Sequence, residues 1–535
     1  MTRATRMRSL ALLAAMAGIT LAGCTVGPNY RPPEASAPAR FGEAVTDTQP
    51  APVLSGWWHQ YRDPELDRLI DTALAQSPDI AVAVARIQQA RAQERVARAA
   101  YLPQVNAQAG TTYQRFSKNA GLASLASLFG GGSGGGAGGG GASGGGSGGG
   151  AGGGGSGSGG SGGGISSPGS SIQTYSAGFD ASWELDLFGG VTRQVEGSRA
   201  RTEAAVWNAR DAQLSLVAET ADAYLQLRSL QEREAIARNE VARQEGNLKI
   251  AADTSRAGLI AQGDYVRQRA ELASAQAAIG PIVAEGKAQM HAIAVLTGQT
   301  PDALIVELSR PRPALSVPPA VPPGLPSELL RRRPDVRAAE RNLAAATADI
   351  GVAVADLYPK FSLTGMAQLI STALSNLFTG DSLQLTGAAN ATFPVLDFGR
   401  RKGQVAIRQA AADEAYAQYR RTVLMALRDT EDALIRIRTE QDRRTVLVAG
   451  LTDARRAVGS VEARWRSGLT DFGDVLAARQ SVLSAEDQVA ESNGNLRRDL
   501  LSLYKALGGG WEDLPLTVPT PGNAASAYTR AKSKE

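Results

Sequence analysis

The sequence predicts a mixed α/β fold in which short strands feed very long coiled-coil helices, built twice in tandem. Three observations predict it. Motifs recur at a constant spacing of 210 residues, four segments alternate apolar and polar positions, and two stretches of 66 residues (190–255 and 400–465) contain no proline. Period-2 alternation is the signature of a strand with two unlike faces, whereas a long run without breakers favours a continuous helix.

Taken in chain order, the first element is an address. Arg3, Arg6 and Arg8 precede an apolar run from Leu10 to Ile19, followed by Leu21-Ala22-Gly23-Cys24. The run is too short to cross a bilayer, so residues 1–23 read as a removed signal peptide. Leu-Ala-Gly-Cys resembles the bacterial lipobox, whose cysteine becomes the acylated first residue; the alternative is cleavage at another small residue, with Cys24 a bystander. Two acyl chains would hold the protein stably to a membrane, since each buried CH₂ contributes about 0.8 kcal/mol. Thr25 is not the aspartate associated with inner-membrane retention, which points outward.

Beyond a lipid-anchored segment, 24–62, the first repeat spans 63–309. Asp63-Pro64 is an N-cap with proline at N1, and Leu66, Leu69, Ile70, Ala73 and Leu74 follow at helical spacing. Ser77-Pro78 opens the next helix in the same way. Strands are expected at about 104–116 and 172–187, and long helices at about 190–255 and 263–297, with a kink at Gly280-Pro281. A proline-rich linker, 310–326, holds seven prolines and is stiff. The second repeat, 327–511, is expected to place strands at about 360–370 and 383–396 and helices at about 400–465 and 473–507. A tail, 512–535, closes the chain.

The repeat is carried by Arg256-Ala257-Gly258-Leu259 recurring as Arg466-Ser467-Gly468-Leu469, by Gly263-Asp264 recurring as Gly473-Asp474, and by Phe188-Gly189 recurring as Phe398-Gly399. Upstream, Ser77-Pro78-Asp79 matches Arg333-Pro334-Asp335 at a shift of 256 rather than 210, so the first half has gained 46 residues between Pro103 and Phe188. That interval contains the tract 130–164, where 26 of the chain's 60 glycines stand among serine and alanine alone. Such a tract cannot bury enough surface to offset its ordering entropy. It is an insertion between the first two strands.

From Tyr175 the positions Tyr175, Ala177, Phe179, Ala181, Trp183 and Leu185 alternate with Ser176, Gly178, Asp180, Ser182, Glu184 and Asp186. The other three strands alternate likewise. Their length matches the ~9 to 11 residues that cross a bilayer, although a half-exposed sheet of a soluble domain shows the same pattern. Lipid admits only closed barrels, and the smallest known single-chain ones have about eight strands. Four strands that span a membrane must therefore share one barrel with other copies, about eight strands for a dimer or twelve for a trimer. The helices show 3/4 spacing through Leu216, Thr220, Ala223, Leu227 and Leu230 and again through Leu496, Leu500, Leu503 and Leu507, which is coiled-coil packing. A solvated coiled-coil stalk has the same periodicity.

Composition excludes several classes. One cysteine and two histidines, His59 and His291, supply neither a zinc cluster nor a base with its orienting partner, so no enzyme and no cofactor is expected. Removing Arg3, Arg6 and Arg8 from 56 basic residues leaves 53 against 52 acidic ones, too even a balance for a nucleic-acid binder. Gly286-Lys287 is followed by Ala288, so there is no phosphate loop.

The order of the motifs resembles the TolC-like outer-membrane factor (outer membrane efflux protein) family, particularly its lipoprotein branch of tripartite efflux channels. The carrying residues are Cys24 with Val26-Gly27-Pro28-Asn29-Tyr30-Arg31-Pro32-Pro33, Trp57-Trp58 before Asp63-Pro64-Glu65-Leu66, Ser77-Pro78-Asp79-Ile80, Leu185-Asp186-Leu187-Phe188-Gly189 with Val395-Leu396-Asp397-Phe398-Gly399, Arg333-Pro334-Asp335-Val336, and the paired Arg-x-Gly turns. The resemblance implies a homotrimer whose shared β-barrel, four strands per protomer and twelve in all, sits in the outer membrane and continues as an α-helical barrel in the periplasm. It implies an inner-membrane efflux pump, a periplasmic adaptor (membrane fusion) protein and outer-membrane lipid as partners, and passive conduction of drugs, solvents or other toxic compounds. The turns with Arg256, Gly258 and Leu259 and with Arg466, Gly468 and Leu469 would be adaptor-docking tips, although plain turn chemistry accounts for the same residues. Asp474, with its repeat counterpart Asp264, would line the closed periplasmic gate; a second acidic position of the family falls on Ala477, and Asp474 also suits a solvated helix N-cap. The competing readings are a passive porin, which needs no paired glycine turns, and a lipid-anchored coiled-coil scaffold, which needs no strands.

Overall fold

The computed structural model describes residues 25–33, 38, 40–43, 55–115, 171–258, 261–318 and 326–516. The signal segment, Cys24, the glycine tract 130–164, Leu259 and residues 517–535 lie outside the described residues.

After a short 3-10 turn at Trp57–Tyr61 come α1 (Pro64–Gln76), α2 (Pro78–Ala99), β1 (Gln104–Arg115), β2 (Ser171–Leu185), α3 (Gly190–Arg256), α4 (Gln262–Leu296) and α5 (Ile305–Leu308). The second half supplies α6 (Pro326–Arg332), α7 (Pro334–Ala355), β3 (Lys360–Ser371), β4 (Leu383–Thr392), α8 (Arg400–Arg466) and α9 (Phe472–Ala506). Both α3 and α8 have 67 residues, and both α4 and α9 have 35. At 1.5 Å per residue the longer pair each measure about 100 Å.

Local chemistry explains where these elements start and stop. The Asp63 carboxylate accepts from the Glu65 N–H at 2.9 Å, with Pro64 at N1 needing no donor partner. Four long helices end in one geometry. Gly258, Gly298, Gly468 and Gly508 have φ of +72°, +73°, +72° and +68°, and each donates its N–H to the carbonyl three residues back. After Gly298, Gly468 and Gly508 the following N–H reaches back a further two carbonyls, as Leu469 does to Arg464 at 2.9 Å, which completes a Schellman motif. α4 runs as one helix through Pro281, where a kink is expected. Pro281 and Ala277, whose carbonyl loses its donor, are both exposed, so solvent can replace the lost bond. β4 stops at Thr392, short of the expected 396, because Pro394 has no N–H for the ladder.

The described residues form two compact units. One comprises those of Met1–Tyr30, Gln93–Ser198 and Ala346–Ala412, and holds the sheet. Its strands run in the antiparallel order β1-β2-β3-β4. The other comprises those of Arg31–Ala92, Arg199–Ala345 and Asp413–Glu535, and holds the apolar core, including Trp57, Leu66, Leu69, Ile70, Tyr224, Leu227, Ile293, Leu500, Leu503 and Tyr504. Trp57 stacks on Tyr504 at 5.2 Å, and the Tyr224 hydroxyl donates to the buried Asp63 carboxylate at 2.7 Å.

Within this second unit the start of the proline-rich linker is clasped by side chains. The Arg228 and Arg497 guanidiniums donate to the Pro313 and Leu315 carbonyls, and Gln231 Nε2 donates to the Leu308 carbonyl at 2.7 Å. Both arginines are buried. Prolines leave their neighbours' carbonyls without ladder partners, and these donors satisfy them.

Candidate functional site

The sheet register sorts every strand residue onto one of two faces. Phe179 stands opposite Ala107 and Ala367, Trp183 opposite Leu363, and Ala367 opposite Leu385. The odd-numbered positions of all four strands therefore share one face, and on it Val105, Tyr113, Phe179, Leu383 and Leu385 are all exposed. The even-numbered face is mostly polar. There Asn106 Nδ2 donates to Asp180 Oδ2 at 3.0 Å and Gln368 Nε2 to Gln384 Oε1 at 3.1 Å. Among the described residues β1 and β4 are each paired on one side only. An exposed apolar face between two open edges is unstable in water and invites both lipid and further strands.

Aspartates tie strands to helices at the two junctions. Asp186 accepts from the Val191 and Thr192 N–H groups at 3.0 and 2.8 Å, capping α3. Asp397 accepts from the Gly399 N–H at 3.1 Å and from Arg401 Nε at 2.8 Å. The second aspartate stands one position later in its motif, so its cap is drawn differently: Phe398 takes φ +51° and is exposed, whereas Phe188 stacks on Tyr358 at 4.7 Å.

The two helix-to-helix turns bring together the residues that sequence reasoning singled out there. Arg256 and Gly258 end α3 and Asp264 lies in the first turn of α4; Arg466, Gly468 and Leu469 end α8 and Asp474 lies in the first turn of α9. A Cβ at Gly258 or Gly468 would meet nothing within 4 Å, so the left-handed backbone, and not crowding, calls for glycine. Arg256 pairs with Asp253, and Arg466 with Glu462 at 3.5 Å, both at the surface. Leu469 is 70% exposed although apolar. Behind it Trp465 packs on Phe472 at 5.2 Å, and Glu462 is also held by Arg479 at 2.7 Å.

Asp474 is not the N-cap of its helix. Asp471 is, accepting from the Asp474 N–H at 3.0 Å, while the Asp474 carboxylate takes the Thr470 hydroxyl. Sequence reasoning missed Asp471, although an aspartate three residues before another acid is a legible cap signal. The two turns also differ in charge. Asp264 is paired with Arg267 at 3.2 Å; the residue 210 positions on from Arg267 is Ala477, and among the described residues Asp474 has no cation at ion-pair distance.

A sheet with one lipid-compatible face, continued along the chain by two helices about 100 Å long, is the architecture of an outer-membrane channel protein. The chain belongs to the outer membrane efflux protein family, whose model matches residues 69–281 and 325–509. It is 28% identical over 506 residues to the pyoverdine export outer membrane protein OpmQ of Pseudomonas aeruginosa, covering 95% of this chain and 98% of that one. It is 28% identical over 517 residues to the toluene efflux pump outer membrane protein TtgF of Pseudomonas putida, covering 94% and 97%. The solved structure of the outer-membrane channel OprN is similar with a TM-score of 0.78 at 34% identity, covering 91% of this chain and all of that one. The protein is thus an efflux channel of the outer membrane.

Proposed function

We propose that three copies close a single twelve-stranded barrel and continue it as a periplasmic helical barrel. This conduit passes small molecules, such as drugs, solvents or other toxic compounds, from an inner-membrane pump and its periplasmic adaptor to the exterior. One observation carries the reading: among the described residues four strands with a common apolar face end on two open edges, and four strands cannot close in lipid. Support for a pump partner comes from the toluene relative, which is named as part of an efflux pump. Unheated protein in mild detergent should migrate as a trimer and collapse to a monomer on boiling. A monomer under both conditions would reject the shared barrel.

In this reading Cys24 carries the lipid, and the turns with Arg256, Gly258 and Leu259 and with Arg466, Gly468 and Leu469 dock the adaptor. The exposed Leu469 is the apolar contact such docking would bury. Leu469→Asp should lower adaptor crosslinking and export at least roughly tenfold, the scale of burying one leucine, while the trimer stays heat-shiftable. Export and crosslinking at the original level would remove the turn from the docking surface.

Asp474, with Asp264, is assigned to the periplasmic gate. Three unneutralised Asp474 carboxylates around an axis would favour cations, whereas Arg267 screens Asp264. Bilayer recordings should show reduced cation selectivity for Asp474→Asn and little change for Asp264→Asn. Equal effects, or none, would take Asp474 out of the aperture.

A further inference from the structure

The chain immediately after Cys24 lies in a slot that the second half of the protein does not reproduce. Val26 donates its N–H to the Phe188 carbonyl at 3.2 Å. Arg193, only 4% exposed, reaches across the segment: Nε donates to the Val26 carbonyl at 3.3 Å, and Nη2 to the Gly27 carbonyl at 3.5 Å and to Asn29 Oδ1 at 2.6 Å. Glu196 balances its charge at 2.7 Å. Three glycines leave room for this passage. A Cβ at Gly189 would come within 2.6 Å of the Thr25 side chain, one at Gly27 within 2.6 Å of the Gly351 backbone, and one at Gly351 within 2.7 Å of Arg193 Cγ.

The internal repeat supplies the control. Gly399, the counterpart of Gly189, has φ +86° as Gly189 has +77°, yet a Cβ there would meet nothing within 4 Å. The counterpart of Arg193 is Gly403. A left-handed glycine is therefore shared by both junctions, while the buried arginine and the close approaches at these glycines are found only at the junction where residues 25–29 run.

We infer that Gly189, Gly351 and Arg193 form a positioning site for the processed amino terminus, holding residues 25–29 at the junction of β2 and α3. This rests on the reading of Cys24 as the acylated residue and specifies where its lipid leaves the protein. Consecutive Cα atoms are about 3.8 Å apart, so an acyl group on residue 24 starts one step from a seated Thr25. The anchor then has no slack: its chains enter the leaflet at the level where the strands end, and the lipid becomes part of the barrel's own membrane contact. An amino terminus merely tethered by its lipid would need neither the arginine nor the glycines.

Hydrogen exchange on the intact lipidated protein in phospholipid vesicles tests the site. The Val26 amide, which donates to the Phe188 carbonyl, should be protected, and Arg193→Ala should speed its exchange roughly tenfold or more, the scale of a lost charge-assisted hydrogen bond. Asn29→Ala, which leaves both helices untouched, should do the same more weakly. Exchange in β1 and the trimer heat shift should not move in either variant, and Cys24→Ser should keep its protection, because the slot holds the peptide. Fast exchange of the Val26 amide in the unaltered protein, or loosening spread through β2 and α3 in both variants, would overturn the inference. Mass spectrometry of the amino-terminal peptide separates the two readings: a missing acyl mass sinks lipidation while a protected segment still stands.

Discussion

Replacing Arg497 by alanine is expected to cost about 3 to 5 kcal/mol, the range for stripping one partner from a buried ion pair. Arg497 is 2% exposed; its guanidinium lies 3.2 Å from the Glu232 carboxylate and donates to the Leu315 carbonyl, and its own carbonyl accepts from the Tyr61 hydroxyl at 2.8 Å. Burial pushes the Tyr61 phenol well above its ordinary range, so it stays a donor. Alanine would leave the Glu232 charge and a linker carbonyl facing an unfilled space. The next residue provides the comparison. Arg498 pairs with Asp222 at 2.7 Å, but the pair is more than a third exposed, and Arg498→Ala should cost about 0 to 1 kcal/mol. The midpoint of heat-induced conversion from trimer to monomer checks both, and equal midpoints for the two variants would show that the clasp on the linker is not a stabilising contact.

If the strands close a shared trimeric barrel, Gly178→Ala should reduce heat-shiftable trimer in the outer membrane roughly fivefold or more, because overpacking of this kind costs about 1 to 3 kcal/mol or more. Its Cβ would fall 2.4 Å from the Ala367 carbonyl oxygen and 2.5 Å from the Gln368 Cα. Those are backbone atoms of the neighbouring strand, so relief requires opening the ladder between β2 and β3. Gly365 and Gly387 stand opposite each other on the apolar face with nothing within 4 Å of either Cβ position. Alanine at those two positions should leave trimer yield unchanged. Quantifying unheated trimer in membrane fractions separates the cases, and normal yield from Gly178→Ala would mean that the strands meet less closely there.

Much of the fold was legible because its signals are local or periodic. The alternation from Tyr175 to Asp186 assigned faces that the register reproduces, and Gly258 and Gly468 were recognised as reversal points that do adopt positive φ. The two helix-to-helix turns were legible for the same reason. Asp474 is the acid that the repeat marks, whereas the cap is Asp471, three positions earlier. Arg193, Arg228 and Arg497 were not legible at all. In sequence each is one arginine among many on a long helix, and only the arrival of a segment from far along the chain turns it into a buried clasp. The charge difference between the turns is half visible in sequence: Ala477 carries no charge, but the pairing of its counterpart Arg267 with Asp264 is a matter of side-chain distance.

Periodicity and repetition by themselves determined the strands and the two pairs of long helices found among the described residues. These follow from side-chain spacing and from arithmetic that holds however the chain is arranged in space. Which glycines are steric necessities and which arginines hold the linker and residues 26–29 were decided only by tertiary structure. Each depends on atoms 85 or more positions away, and a linear pattern carries neither distance nor direction.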